Sequence, residues 1–390
     1  MSLLNNIKII DLTRFVAGPH CTLVLSDLGA EIIKIEKPGK GDDLRIIGPK
    51  LLDTSLWAAV LNRGKKSVSL DLKTKIGREI LLKLIKEADV LVENFRPGVM
   101  EKLKLGWKTI RKVNNKLVMA RISGYGQNDT STARQAFDAT IQAETGFMKI
   151  SGEEESPTMI GTVLLDYTTG LNTAIGILAA LNKRNISGKG ELIETSLVSS
   201  ALSLSMGAVP DFFINKNNFG KNGNSDRYSS PSNTYKAKDG YIHIMAGSDD
   251  RFLNLAISMK KKELINNALY KDPEKRVENQ HKIDKIVENW TKKKSIKYLG
   301  KVLSANSVPW GEVKTFSRFL KTKTAKRFLM NANLKNKKIK VPECAIKAPY
   351  VKSKKKQIIP VVGENNNDVL KELGYSLKNL EILKKKNILK

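Results

Sequence analysis

The chain has 390 residues, 41% hydrophobic and 27% charged, which is ample for a large buried core and for two domains, or for one domain with a sizeable insertion. Two cysteines and three histidines exclude a disulfide scaffold and a Cys/His zinc cluster, and no apolar run reaches the roughly 18 residues of a membrane span. Lys and Arg outnumber Asp and Glu by 68 to 39, a formal charge of +29, yet the Lys is spread along the whole chain. The densest runs, KNKKIK and KSKKK (352–356), lie late and lack interleaved aromatics. That pattern reads as a solvated surface and speaks against nucleic acid or membrane as partner.

The opening MSLLNNIKIIDLTRF reads as the start of a fold and not as a signal peptide, so a reducing cytoplasm is the expected setting. Residues 7–12 predict a strand, 19–29 a helix between Pro19 and Gly29, and 30–36 the next strand. Strands at 66–72, 88–95 and 116–123 follow, with a helix at 75–87. Runs apolar on both faces, alternating with helices, argue for an α/β fold on a parallel sheet. Residues 166–184 carry the clearest helical periodicity, and 188–198 read as a turn followed by a strand or an early helix. The Asn-, Gly- and Ser-rich stretch 214–233 reads as a linker. A hairpin turning at Asp239-Gly240 follows, then helices to about 320, and a helical tail from 363.

Few residues carry chemistry by themselves. The GYGQ run (124–127) lacks the third glycine of a dinucleotide fingerprint and reads as a loop, and GKGDD (39–43) lacks the ending of a phosphate loop. His20, His243 and His281 are scattered, and Cys21 and Cys344 read as inert thiols. Asp166 opens the long helix after an apolar run. Locally it reads as an N-cap, and a helix start would also lower its pKa and hold it as an anion.

Blocks in order along nearly the whole chain resemble the class III CoA-transferases, the family of formyl-CoA transferase, carnitine CoA-transferase and α-methylacyl-CoA racemase. They are DLTRFVAGPHCTLVLSDLGAEIIKIEKPGKGDDLR (11–45), NRGKKSVSLDLKT (62–74), ADVLVENFRPGVMEKLKLG (88–106), FDATIQAETGFMKISG (137–152) and LLDYTTGLNTAIGILAALNKRNISGKGELIETSL (164–197). YKAKDGYIHIMA (235–246) and GENNNDVLKELGYS (363–376) are similar to later blocks. The resemblance implies a large Rossmann-like CoA-binding domain in two parts, 1–214 and 321–390, around a small α+β domain at 215–320. It also implies an interlocked homodimer. The implied reaction moves CoA from an acyl-CoA to a free carboxylic acid through an aspartyl anhydride and an aspartyl-CoA thioester. CoA enters as substrate, with no permanent cofactor and no metal.

By the same resemblance Asp166 is the nucleophile, and Lys37, Leu70, Asn94, Phe95, Arg96, Lys102, Gln135 and Asp138 contact CoA. Formyl-CoA transferase has a glutamine where this chain has Val16, and a glycine-rich loop where NFGKNGNSD (218–226) is sparser. Both departures speak against formate or oxalate, and the apolar Val16 allows a larger or less polar acyl group. The alternative functions are a racemase or epimerase of the same family, or a non-catalytic CoA- or nucleic-acid-binding protein. A racemase needs a histidine where this chain has Phe137, and Asp249, near its second carboxylate, is not enough alone.

Overall fold

The structure is a computed structural model that describes residues 2–127, 134–152, 156–348 and 357–390. The KSKKK run lies outside them. The described residues form two compact units, one of 1–147, 160–217 and 327–390, the other of 148–159 and 218–326.

The first unit is built on six parallel strands, β1 (Lys8–Asp11), β2 (Glu31–Glu36), β3 (Lys66–Ser69), β4 (Val90–Glu93), β5 (Val118–Ser123) and β6 (Leu192–Ser196). Their spatial order is β3-β2-β1-β4-β5-β6, all pairs parallel. The chain therefore reverses direction across the sheet between β1 and β4, and the crevice beyond their carboxyl ends is the place such sheets offer a ligand.

Neighbouring side chains on these strands go to opposite faces. Ile10, Ile33, Val68, Leu91 and Met119 pack on one side with Ile80, Leu81 and Leu84, and with Val369, Leu370 and Leu380 of the C-terminal segment. Ile9, Ile32, Val90, Val92 and Val118 pack on the other with Cys21 and Leu25 of α1 (Ala17–Asp27). The sheet is covered on both sides, which accounts for its continuous apolar strands.

Helix α1 starts two residues before Pro19. A proline is tolerated anywhere in the first turn, where its missing N–H would have no partner. Helix α2 (Lys75–Lys86) begins at Thr74, whose hydroxyl accepts the Gly77 N–H at 3.0 Å. Short α3 (Asp138–Glu144) precedes α4 (Leu164–Ser187), which ends at Gly188 in the left-handed conformation. The length and composition of α4 match a membrane span, but Ala174, Ile177, Ala180 and Leu181 bury against α1 and the sheet. The two helices meet at Gly170, where an added Cβ would lie 2.6 Å from the Ala17 carbonyl.

The ambiguous 188–198 stretch is β6 and then α5 (Leu197–Leu204), capped by Ser196, whose hydroxyl accepts the Ser199 N–H at 3.1 Å. Helix α6 (Ala208–Asn215) follows, where no element was expected. The predicted linker has neither helix nor strand from 216 to 231.

The second unit holds an antiparallel sheet of β7 (Ser232–Ala237), β8 (Gly240–Met245) and β9 (Trp310–Glu312), with β8 in the centre. Its turn is at Lys238-Asp239, one residue earlier than expected, and Gly240 already pairs with Ala237. Ile242, Ile244, Phe252, Leu255, Ile283, Val287 and Leu299 make its core. The chain then returns to the first unit through a hairpin, Leu329–Leu334 with Lys337–Pro342, also unexpected. The KNKKIK run lies on this hairpin, its lysines exposed.

Candidate active site

A cavity of about 270 Å³ lies beyond the carboxyl ends of β1, β4, β5 and β6. Each strand sends one loop into its wall, namely Arg14 to Val16, Asn94 to Pro97, Gly124 to Gly126, and Leu197 at the start of α5. The segment Arg134 to Phe137 closes one side, and Asp166 is the acidic residue of the lining. Asn94 holds two of these loops together. Its Oδ1 accepts the Arg14 N–H at 2.8 Å and its Nδ2 donates to the Arg14 carbonyl at 2.7 Å.

The first turn of α4 shows how Asp166 is presented. The N-cap is Val163, which has no side-chain acceptor. The exposed amides are taken instead by Asp138, whose Oδ2 accepts the N–H of Leu165 at 2.7 Å and of Asp166 at 3.1 Å. Asp166 is therefore not the cap that local reading of the sequence suggested. It is the third helical residue, half-buried, and its carboxylate has no hydrogen-bond partner among the described residues.

Burial, and then the charge of Asp138, push the Asp166 carboxyl up to about 7. The expectation that a helix start would keep it a low-pKa anion is thus corrected. The helix end, its amides already taken by Asp138, is outweighed by desolvation and by a like charge. A carboxylate with its pKa near 7 is more basic and more nucleophilic than an ordinary one, and about half of it is still ionised at neutral pH.

The other residues expected from the resemblance divide into groups. Asn94, Phe95, Arg96 and Gln135 line the cavity with Asp166. Lys37 and Leu70 line a second cavity of about 240 Å³ at the ends of β1, β2 and β3, and Phe95 and Arg14 belong to both walls. Lys37 is paired with Asp43 at 2.6 Å, and Asp43 also holds Arg14 at 2.8 Å. Lys102 is exposed and lines neither cavity, and Asp138 faces the start of α4.

Several features went unread in the sequence. Phe15 adopts φ of 62° and stands edge-on to Phe137 at 5.5 Å, so two aromatic rings flank the cavity. Beneath the Arg14 loop lies a buried ionic cluster. Lys34 Nζ donates to the Thr13 carbonyl at 2.7 Å and contacts Asp42 at 3.2 Å, while Lys65 Nζ reaches Asp11 at 3.0 Å. Burial alone would raise the Asp11 carboxyl, but Lys34, Lys65 and the hydroxyls of Thr13 and Thr22 hold it well below the usual range. Burial lowers Lys65 to about 8 against the pull of Asp11. A lysine in the middle of the apolar EIIKIE strand was the available signal. In the second unit Asp249 is ion-paired to buried Arg276 at 2.6 Å.

Comparison with known proteins places this geometry. The family model "CoA-transferase family III" matches residues 4–366. Human succinyl-CoA:glutarate CoA-transferase is 32% identical over 376 residues, covering 95% of this chain and 86% of that protein. Succinyl-CoA–D-citramalate CoA-transferase of Chloroflexus aurantiacus is 33% identical, with 81% and 80% covered. The crystal structure of a CaiB/BaiF family protein from Brucella suis superposes with a TM-score of 0.84 at 28% identity, over 95% of this chain and 99% of that one.

Proposed function

The chain belongs to CoA-transferase family III, and from that premise we propose how its site performs the transfer and on which acids. The enzyme exchanges CoA between an acyl-CoA thioester and a free carboxylic acid. An Asp166 oxygen attacks the thioester carbonyl carbon, the C–S bond breaks, and CoA leaves as thiolate, giving a mixed anhydride. The thiolate then attacks Cγ of Asp166 and expels the donor carboxylate, leaving an aspartyl-CoA thioester. The acceptor carboxylate attacks the same Cγ and releases the thiolate. The thiolate finally attacks the acceptor carbonyl, which frees Asp166 as carboxylate. No net proton is consumed, and the thioester bond energy is kept so long as water stays out. The observation that carries this reading is the unpartnered, half-buried Asp166 carboxylate at the cavity wall. Val16 and Ala17, at the start of α1, line the same wall, and no side chain among the described residues caps that helix, so its first amides can face a developing oxyanion.

The substrates are short dicarboxylic acids as their monothioesters. Both relatives above act on succinyl-CoA by name, and Arg14, Arg96 and Arg134 line the cavity around Asp166. Arg96 has no ion-pair partner among the described residues, so it is available to a second carboxylate or to CoA phosphate. Lys37, Leu70 and Phe95 around the second cavity suit the nucleotide end of CoA.

The working form is an interlocked homodimer. This is supported by the resemblance and by the apolar side chains of Ile175, Leu202, Met206, Phe213 and Ile214, each more than half exposed. The setting is cytoplasmic, in keeping with two free cysteines.

Incubation of the protein with succinyl-CoA and a panel of carboxylic acids, read by mass spectrometry of the CoA products, tests the function. Transfer to dicarboxylates faster than to monocarboxylates of equal length supports the assignment, and the reverse order refutes it. A concentration-independent mass near 43.4 kDa in solution would refute the dimer.

A further inference from the structure

Asp138 stands apart from the rest of the site. It is 3% exposed and absent from both cavity walls. Its carboxylate accepts no amide from the first turn of its own helix, where the Thr140 hydroxyl accepts the Phe137 N–H at 3.0 Å. Both Asp138 oxygens are turned to other partners. Oδ2 takes the two amides at the start of α4, and Oδ1 accepts from Nε2 of Gln142.

Gln142 is itself fully buried and extends the grip. Its Nε2 also donates to the Thr162 carbonyl at 3.3 Å, and its Oε1 accepts the Ile160 N–H at 3.0 Å. One carboxylate and one amide thus hold the backbone at positions 160, 162, 165 and 166.

We propose that Asp138, braced by Gln142, is a positioning residue of the transfer reaction, which holds the first turn of α4 so that the Asp166 carboxylate meets the thioester carbonyl. The inference rests on Asp166 being the nucleophile. Without the Asp138 carboxylate, two buried amides lose their acceptor and the first turn of α4 frays, because Val163 offers no substitute. A shift of the nucleophile by about 1 Å is enough to lower the rate about 10²-fold.

The same carboxylate also acts through its charge. It is the anionic group that faces Asp166 from α3, while Tyr167 adjoins it on α4 and Arg14, Arg96 and Arg134 face it across the cavity. Removing the Asp138 charge while keeping an acceptor therefore lets Asp166 ionise at lower pH.

The test is single-turnover acylation by succinyl-CoA, followed as hydroxylamine-trapped adduct at Asp166, in wild type, Asp138→Ala, Asp138→Asn and Gln142→Leu. Asp138→Ala should lower the acylation rate about 10²-fold with little change in KM for succinyl-CoA. Asp138→Asn, which keeps an oxygen acceptor, should recover to within about tenfold of wild type, and its pH midpoint for acylation should fall by roughly one unit. Gln142→Leu should slow acylation without moving that midpoint. A raised KM with unchanged acylation in either Asp138 variant would overturn the proposal in favour of direct contact with CoA. An unmoved midpoint in Asp138→Asn would also overturn it, and decides the matter if Asp138→Ala does not fold. If wild type itself forms no adduct at Asp166, the nucleophile assignment fails, and this inference with it.

Discussion

Asp166→Asn separates what the site does from what it costs the fold. In the native protein the carboxyl titrates near 7 against an ordinary 3.8, first through burial and then through the charge of Asp138. A folded-state pKa raised in this way favours the protonated form. Its contribution to stability is complete below about pH 3.8 and is lost as pH rises through about 7. At pH 8 the ionised Asp166 therefore opposes folding by up to about 4 kcal/mol, since each pH unit between 3.8 and about 7 is worth about 1.4 kcal/mol. Asparagine is neutral at every pH and nearly the same shape. The variant should be more stable than wild type at pH 8 by a few kcal/mol and indistinguishable from it near pH 4. The Asp138 cap on α4 is untouched by the change, so nothing else in the first turn has to move.

Activity should go the other way. A neutral amide cannot attack the thioester, and transfer should drop by about 10⁴-fold or more. Chemical denaturation at pH 4, 6 and 8 gives the stability arm, and CoA exchange with trapping of the adduct gives the other. Transfer within tenfold of wild type, which is about 1.4 kcal/mol of barrier, in material verified free of deamidation, would refute the nucleophile. Equal stability of the two proteins at pH 8 would refute the electrostatic account of the site.

Three other outcomes follow from the packing. Gly170→Val drives a side chain into the Ala17 carbonyl and the His20 ring where α4 crosses α1, and it should lower stability by about 1–3 kcal/mol in thermal or urea melts. Lys34→Met leaves Asp42 and Asp11 buried with one cation fewer, and should cost about 3–5 kcal/mol, with loss of CoA exchange as the Arg14 loop loosens. The cavity ring at Phe137 cannot carry a proton, so a 2-methyl acyl-CoA incubated in deuterated water should show no gain of mass at its α-carbon. Rapid exchange would restore the racemase alternative.

The sheet was legible because its strands are apolar on both sides and separated by helices, and their boundaries held to within three residues. The helix of residues 208–215 was not, because it lies beside the linker and none of its residues is buried. Its Phe212, Phe213 and Ile214 carry no inward stripe to announce a period. The returning hairpin was hidden by the lysines and asparagines that fill most of its exposed positions, while only Ala332, Leu334 and Val341 are fully buried on the inner face. Asp166 could be singled out from local residues, but its state could not. The group that caps its helix stands 28 residues earlier in the chain, and no spacing rule links the two.

That separation explains why local reading and the structure gave opposite pKa directions for the same residue. A helix start lowers a carboxyl most strongly when the carboxyl itself receives the free amides. Here those amides are spent on Asp138, which gains the hydrogen bonds and leaves Asp166 with the burial and the repulsion. Had Asp166 been its own cap, it would be a stable anion and a poor nucleophile, tied down by the bonds that stabilise it. Assigning the cap to a second carboxylate frees the first to react, and the two aspartates take opposite tasks because one accepts N–H groups and the other faces the cavity. Exchanging the pair, as Asp138→Asn in one protein and Asp166→Asn in another, should therefore give unlike results. The first should retain transfer with a lower pH midpoint, while the second should lose transfer and gain stability at pH 8. Two variants that behave alike in both measurements would show that the division of labour drawn from these distances is wrong.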